Sequence, residues 1–541
     1  MRVTRGTPWP TPRLTPRSSE SEVSGLSSNG NSNSNRNRNR KRNPIRSRPL
    51  LAAAGLLALT TAAPAARAAM DCRDLALLRL PDTVITTATE VSGPFAPGAG
   101  APLELAPVCR VAGTINPAIR FEVWLPIGAD YNGRLQAVGG GGLAGSISYA
   151  AMATAVGAGY VSASTDTGHR SDDSQWLGDP QRREDYGHRA IHEMTVKAKA
   201  IIDAYYGTGP AYSYFNGCST GGRQGLMEAQ RYPGDYDGIV SGAPVNTFTR
   251  LHMAQLWTAH ATLIPEGAAL SAQDFALVNA AVIAQCDARD GVADGILTDP
   301  TVCDFNPRQL VCSGGAGDAC LAEPKVTALE QIYRGPVNPR TGVPLYPGLE
   351  PGSESGWDLI MNGRTPFFID IPVLGGMGFE NDDWDWRTFD YDRDVTLIDA
   401  KLAHVLNAVD PDLRDFEANG GKLIIYHGWN DPGVMPQRTV DYYNEIIAFS
   451  DRALNGNGAA FVDDFARLYM MPGVGHCSGG PGPDQADFMS ALVDWVENDE
   501  APEQIIASTS DGSLTRPLCP HPSVAVYNSG DSSEGASFRC D

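Results

Sequence analysis

The chain has 541 residues, 42% of them apolar and 8% aromatic, with 10 cysteines and a formal net charge of −21. It is longer than one ordinary domain and too rich in core-forming residues to be disordered. The first 68 residues carry 12 basic side chains against Glu20 and Glu22, leaving 30 basic and 61 acidic groups on the other 473, a net of −31 that repels nucleic acid and anionic membrane.

Residues 1–49 read as a low-complexity basic leader. Positions 18–48 are almost entirely Ser, Asn, Arg, Gly and Pro, ending in the basic tract Arg36 to Arg48, and cannot bury enough apolar surface to order themselves. Leu50 to Ala63 is a run of 14 uncharged, mostly apolar residues, followed by Pro64 and the small-residue site Ala66-Arg67-Ala68. Residues 50–68 therefore read as the hydrophobic core and cleavage region of a secretory signal, cut after Ala68. The run is shorter than the roughly 20 residues of a spanning helix. The basic flank is long for such a signal, so either the leader is long or translation starts inside it. The mature protein is expected to be secreted or periplasmic, with no membrane contact after cleavage. In that oxidising setting an even count of cysteines suggests disulfides. The zinc alternative finds no C-x2-C pair, and only His476-Cys477 sets a cysteine beside a histidine.

Residues 69–245 read as the first part of an α/β core, and between about Arg120 and Val245 short β-branched or aromatic runs alternate with helical stretches. Strands are expected at 121–127, 135–142, 159–166 and 211–217, and a helix over 188–206, where Ile191, Met194, Ala198, Ile201, Ile202 and Tyr205 recur at helical spacing. Such alternation implies a mostly parallel sheet with helices on both faces. Residues 246–420 look irregular, rich in Gly, Pro, Asp and Trp, and read as an inserted lid domain placed to cover an active site. The alternation resumes over 421–541, with strands at 421–429 and 465–473 and a helix around 436–450.

The strand at 211–217 runs into Gly217-Cys218-Ser219-Thr220-Gly221-Gly222 and then a helical segment. This is G-x-S-x-G in the strand, turn, helix setting of an α/β-hydrolase nucleophile, where glycines permit a sharp turn and the serine sits at a helix N-terminus. That fold supplies its partners in the order Ser, Asp, His. Asp431 follows the strand at 421–427 and His476 follows the strand at 465–471, so both lie where the triad needs them. His427 is the rival base but precedes Asp431, and Asp410 and Asp412 precede the strand. Cys218 precedes Ser219 and Cys477 follows His476, so a serine and histidine within hydrogen-bond reach would bring these cysteines together. A bridge there closes about 260 residues and contributes up to about 5 to 6 kcal/mol in the chain-entropy view. The oxyanion hole is expected to use the Thr220 N–H and one N–H from Gly139 to Gly142, with Gly141 favoured.

GCSTGG, HGWNDPG and GVGHC together resemble the tannase and feruloyl esterase family, which includes the enzyme hydrolysing mono(2-hydroxyethyl) terephthalate. The resemblance spans about Cys72 to Cys540. It implies a triad of Ser219, Asp431 and His476, the bridge Cys218–Cys477, and the further pairs Cys72–Cys109, Cys286–Cys303, Cys312–Cys320 and Cys519–Cys540. It also implies a structural Ca2+ in the lid, held by Asp287, Asp290 and Asp294 with the carbonyls of Val292 and Ile296, and no organic cofactor. The segment's own signal is three carboxylates interleaved with glycines, which can fold around a hard cation but on their own are more often a simple turn; the resemblance reverses that reading. His188 and His192, spaced i and i+4 on one helix, lack a third ligand and read as core or surface histidines. Trp357, Trp384 and Trp386 read as packing, or as stacking partners for an aromatic acyl group.

The expected function is a serine carboxylic ester hydrolase acting on small esters of phenolic or aromatic acids, of ferulate or gallate type. The resemblance leaves a terephthalate monoester open. A serine peptidase, or a non-catalytic calcium-binding extracellular module, are the readings from other classes.

Overall fold

The computed structural model describes residues 69–97, 101–313 and 319–541; the basic leader and signal region read from the sequence lie outside them. Among the described residues no helix is long and apolar enough to cross a membrane.

A nine-stranded sheet runs in the order β1-β2-β3-β5-β4-β6-β7-β8-β9. Its strands are β1 (Thr83–Phe95), β2 (Leu103–Ile115), β3 (Ile119–Pro126), β4 (Arg134–Val138), β5 (Val161–Thr165), β6 (Tyr212–Cys218), β7 (Gly238–Gly242), β8 (Lys422–Gly428) and β9 (Ala466–Met471). The pairs β1/β2, β2/β3 and β3/β5 are antiparallel, and every neighbour from β5 to β9 is parallel. All six expected strands are present as β3, β4, β5, β6, β8 and β9. β4 stops at Val138, so Gly139 to Gly142 form the loop beyond its C-terminal end.

The period-2 alternation of a strand divides the apolar residues between two faces. Phe215, Ile239, Leu423, Ile425 and Leu468 pack with residues of the helices Ala190–Tyr206, Thr220–Arg231 and Gln437–Ala453. Their neighbours Tyr214, Val240, Ile424 and Tyr469 pack with Phe488, Leu492 and Trp495 of the helix Phe488–Asn498. Burial on both faces is what a parallel sheet requires, and it places the parallel strands' C-terminal ends along one edge.

The chain between β7 and β8 departs from the irregular segment expected at 246–420. It contains helices at Phe248–Leu263, Ala272–Cys286 and Glu323–Arg334. The first is buried on nearly every side, through Phe248, Leu251, His252, Met253, Gln255, Leu256, Thr258 and Thr262, so no single apolar stripe marks it in the sequence. The second opens on a capping box between Ser271 and Asp274. Leu251, Val278, Leu329, Trp357 and Leu374 belong to an apolar cluster that this segment builds largely for itself.

The helix Thr220–Arg231 lies almost against β7. A Cβ placed on Gly222 would sit 2.2 Å from the Gly242 carbonyl oxygen and 3.0 Å from Pro244 Cα, backbone atoms that cannot swing aside. Gly222→Ala should cost about 1–3 kcal/mol, read as a lower urea midpoint at unchanged slope.

Candidate active site

β6 delivers Ser219 to the start of the helix Thr220–Arg231 with φ 65° and ψ −122°, a conformation that L side chains rarely adopt. Backbone bonds hold it there. The Ser219 N–H donates to Gly242 O at 2.9 Å, and the Ser219 carbonyl accepts from Arg223 N–H at 3.1 Å and Val245 N–H at 3.2 Å. Gly217 is required for the same reason as Gly222, since its Cβ would meet Gly221 Cα at 2.8 Å.

Asp431 follows β8 and His476 follows β9, each beyond the C-terminal end of its strand. His476 Nε2 lies 2.9 Å from Ser219 Oγ, and His476 Nδ1 lies 2.7 Å from Asp431 Oδ2. A carboxylate only accepts, so the imidazole proton sits on Nδ1 and Nε2 is free to accept the serine hydroxyl. Asp431 is fully buried; its Oδ1 accepts from the N–H groups of Gly433 at 2.7 Å and Val434 at 2.9 Å. Burial opposes its ionisation, but the charge on His476 and the hydrogen bonds from His427 and His476 prevail and hold the carboxyl well below the usual carboxylate range.

His427 is not the base. It lies on the far side of Asp431, fully buried, with Nε2 3.0 Å from Asp431 Oδ2 and 2.9 Å from Val434 O, and Nδ1 2.8 Å from Thr439 Oγ1. Two acceptors at Nε2 place its proton there, so His427 donates to Asp431 and takes the Thr439 hydroxyl. Its position four residues before Asp431 at a strand end was legible; its part as a second donor to the carboxylate was not. Asp412 pairs with Arg414 at the surface, and Asp410 Oδ1 accepts the Asp412 N–H, away from the triad.

Of the glycine run, Gly139 N–H donates to Asn216 O at 2.9 Å and Gly140 N–H to Gln224 Oε1 at 3.0 Å. Gly141 and Gly142 remain as the possible partners of the Thr220 N–H. Gly142 lines the cavity with Ser219 and Thr220, and its carbonyl accepts the hydroxyls of Thr220 at 2.6 Å and Tyr186 at 2.9 Å.

That cavity has a volume of about 240 Å³. Beyond Ser219 and His476 its walls are mostly apolar, with Leu251, Leu359, Phe367, Phe368 and Ile369 supplied by the segment between β7 and β8. Phe368 is 75% exposed, an aromatic ring left open at the site. The tryptophans singled out in the sequence do not line it. Trp357 is fully buried against Phe275 and Tyr333, Trp384 packs on Phe379 and Phe389, and Trp386 on His260. The polar members His252 and Gln255 were not foreseen either, since an isolated His and Gln carry no motif. His252 Nδ1 lies 3.0 Å from Asp370 Oδ1, and burial pulls its pKa down to about 3, so it is a neutral wall.

All five expected disulfides form, Cys72–Cys109, Cys218–Cys477, Cys286–Cys303, Cys312–Cys320 and Cys519–Cys540. The second joins the neighbours of Ser219 and His476 with Cα atoms 6.0 Å apart.

The loop assigned to calcium offers hard oxygen donors, but its side chains are committed elsewhere. Both Asp287 oxygens accept from Gly295 N–H, Asp290 accepts from Val292 N–H and the Thr298 hydroxyl, and Asp294 accepts from Ile296 N–H and, at 2.5 Å, from Arg516. The three carboxylates do not each bring an oxygen within 4.8 Å of the others; among the described residues only His192, Glu228 and Asp235 gather that way. The donor set fits a hard cation in kind; the arrangement does not, because Arg516 supplies the positive charge beside Asp294. No step of the chemistry runs through this loop.

A strained serine at a strand-to-helix turn, bonded to a histidine that a buried aspartate orients, on a mostly parallel sheet, defines an α/β-hydrolase. The chain belongs to the tannase and feruloyl esterase family, whose model, described as Tannase and feruloyl esterase, matches residues 104–541, and it is a carboxylic ester hydrolase. It is 37% identical to an uncharacterized esterase of Xanthomonas campestris pv. campestris, over 91% of this chain and 93% of that one. It is 34% identical to the mono(2-hydroxyethyl) terephthalate hydrolase of Piscinibacter sakaiensis, over 82% of this chain and 86% of that one. The crystal structure of feruloyl esterase B from Aspergillus oryzae superposes with a TM-score of 0.80 at 27% identity, covering 86% of this chain and 98% of that one.

Burial lowers the affinity of His476 for a proton, yet the Asp431 charge and hydrogen bond outweigh it and raise its pKa above the ordinary 6.5. A base must be unprotonated, so kcat/KM should fall as pH drops through an apparent pKa above that value. Asp431→Asn removes the counter-charge, which should move this limb to lower pH and reduce kcat by about four orders of magnitude. Both follow from a pH–rate profile of the two proteins.

Proposed function

We propose that the chain is an exported serine esterase that cleaves esters of phenolic or aromatic acids through an acyl-enzyme on Ser219. Ser219 Oγ attacks the ester carbonyl as its proton passes to His476 Nε2, and Asp431 balances the imidazolium. The N–H groups of Thr220 and of Gly141 or Gly142 receive the developing oxyanion. Collapse breaks the bond to the alcohol, which takes the proton from His476. Water then gives a proton to the same nitrogen and attacks the acyl carbon, releasing the acid and restoring the serine.

The observation that carries the substrate class is the composition of the cavity wall. Phe367, Phe368, Leu251, Leu359 and Ile369 suit a planar ring, and neither lysine nor arginine is among the lining residues. A terephthalate monoester brings a free carboxylate opposite its ester, which a wall of this kind leaves without a counter-ion at considerable desolvation cost. A phenolic acid ester brings an uncharged hydroxyl, which the unpartnered Gln255 Oε1 can accept while its Nε2 donates to Gly433 O. The segment that supplies these walls acts as the lid over Ser219. Five disulfides and the signal-like leader support export.

A structural calcium ion in the Asp287 to Ile296 loop would have to draw Asp294 away from Arg516. If it does so, a chelator should lower the melting temperature by about 3 °C and added calcium should restore it; an unchanged melting curve leaves Arg516 as the counter-ion of the loop. For the chemistry, methyl ferulate, methyl caffeate, methyl gallate and mono(2-hydroxyethyl) terephthalate should be compared on wild type and Ser219→Ala. At least one neutral phenolic ester is expected to turn over faster than the terephthalate, and Ser219→Ala to lose at least about 10⁴ in kcat. Equal activity in the variant removes Ser219 as nucleophile, and preference for the terephthalate reverses the assignment of substrate.

A further inference from the structure

The helix pair that carried His188 and His192 in the sequence leads to a second constellation. His188 Nδ1 is taken by the Tyr232 hydroxyl at 2.8 Å, so the i, i+4 pair is not a ligand pair. His192 instead stacks on Tyr232, with ring centroids 3.9 Å apart, and its Nδ1 lies 2.6 Å from Asp235 Oδ2. Glu228 completes the group: one ligand atom from each of His192, Glu228 and Asp235 lies within 4.8 Å of the others.

Glu228 is the observation that demands an explanation. It is 1% exposed, and neither carboxylate oxygen has a hydrogen-bond partner. It sits in the last turn of the helix Thr220–Arg231, where the helix dipole is negative and a carboxylate is disfavoured. The cations nearby are engaged: Arg231 donates to His404 O at 2.6 Å, and Lys199 Nζ to Asp235 O at 2.5 Å. Its carboxyl neighbour is that of Asp235, and two carboxylates gathered this closely with one of them buried are relieved by a shared proton or by a bound cation. The group is reachable, since the His192 and Asp235 side chains are 30% and 16% exposed.

We propose that His192, Glu228 and Asp235 form a binding site for a divalent cation of the zinc class. One imidazole and two carboxylates are a borderline ligand set, and seating an ion at bonds of about 2.0–2.2 Å requires His192 Nδ1 and Asp235 Oδ2, now 2.6 Å apart, to open around it. On binding, the imidazole proton moves from Nδ1 to Nε2, and a proton shared between the two carboxyls leaves to solvent. The ion would tie the first turn of the helix Ala190–Tyr206 and the loop before β7 to the far end of the helix that Ser219 begins. Nine residues at 1.5 Å each put it about 13 Å along that helix from the nucleophile, so its effect is on stability.

The test uses the full chain, stripped with a chelator and dialysed, titrated with Zn2+ by calorimetry. Wild type should bind the ion at this site and gain about 2–3 °C in melting temperature at a hundredfold excess over Kd. Glu228→Gln and His192→Phe, which keeps a ring on Tyr232, should each weaken that binding at least tenfold, with circular dichroism showing that both fold. Asp290→Asn in the other acidic loop should leave it unchanged. No binding by wild type, or binding equal in both site variants, overturns the assignment. So does a wild type that ignores zinc while Glu228→Gln melts higher, the signature of a carboxyl pair that only shares a proton.

Discussion

The backbone at Ser219 turns through a positive φ, and much of the molecule is arranged to hold it there. A residue in that region costs of order 1–3 kcal/mol and persists only when its surroundings over-determine it. Here they do. Gly242 and Val245 bond both backbone groups of the serine, Gly217 and Gly222 allow the chain to close on itself and on β7, and the bridge from Cys218 ends at Cys477, itself at φ 66°. Arg223, one turn along and fully buried, donates to the carbonyls of Tyr186, Gly187 and Leu406 and lies over the rings of Tyr186 and Phe248. The turn is thus fastened to the sheet on one side and, through Arg223, to the segment between β7 and β8 on the other.

A second layer of organisation surrounds Asp431. Four donors converge on its two oxygens: Gly433, Val434, His427 and His476. A buried carboxylate met by that many donors stays charged and fixed. Three of the four come from β8 and the turn after it, so this stretch presents a charge of set position, and His476 is the only one of them that also reaches the serine. His427 and Thr439 extend the network from the strand to the helix Gln437–Ala453.

What the sequence made legible was whatever lay within one strand and its following turn. GCSTGG, HGWNDPG and GVGHC each carry their own structural setting, and their order along the chain gives the triad. β1 and β2 escaped because a polar, half-exposed run such as TVITTATEVSGPF lacks a clean apolar face, and β7, GIVSG, because it offers only Ile239 and Val240 between glycines. The helix Phe248–Leu263 escaped because burial on nearly all sides erases the stripe by which a helix is recognised. Ala272–Cys286 and Glu323–Arg334 do carry one, in Phe275, Val278 and Val282 and in Val326, Leu329 and Ile332, set among the Gly, Pro and Asp that made the segment look irregular. Phe367, Phe368, His252 and Gln255 meet at the cavity only through tertiary folding. Trp357, Trp384 and Trp386, for which the sequence leaves both packing and stacking open, take the packing role. Glu228 and Asp235 stand 36 and 43 residues from His192, a separation at which no local pattern could join them.

The Cys218–Cys477 bridge separates residues 259 apart in sequence from the consequences of that distance. The whole stretch from β7 to β8, with its helices and the aromatic walls of the cavity, lies inside the ring the bridge closes. The short covalent route between Ser219 and His476 runs through one cystine at the ring's neck, whatever the circumference contains. The walls of the cavity could then be lengthened, shortened or recast without altering the short covalent link between the neighbours of Ser219 and His476.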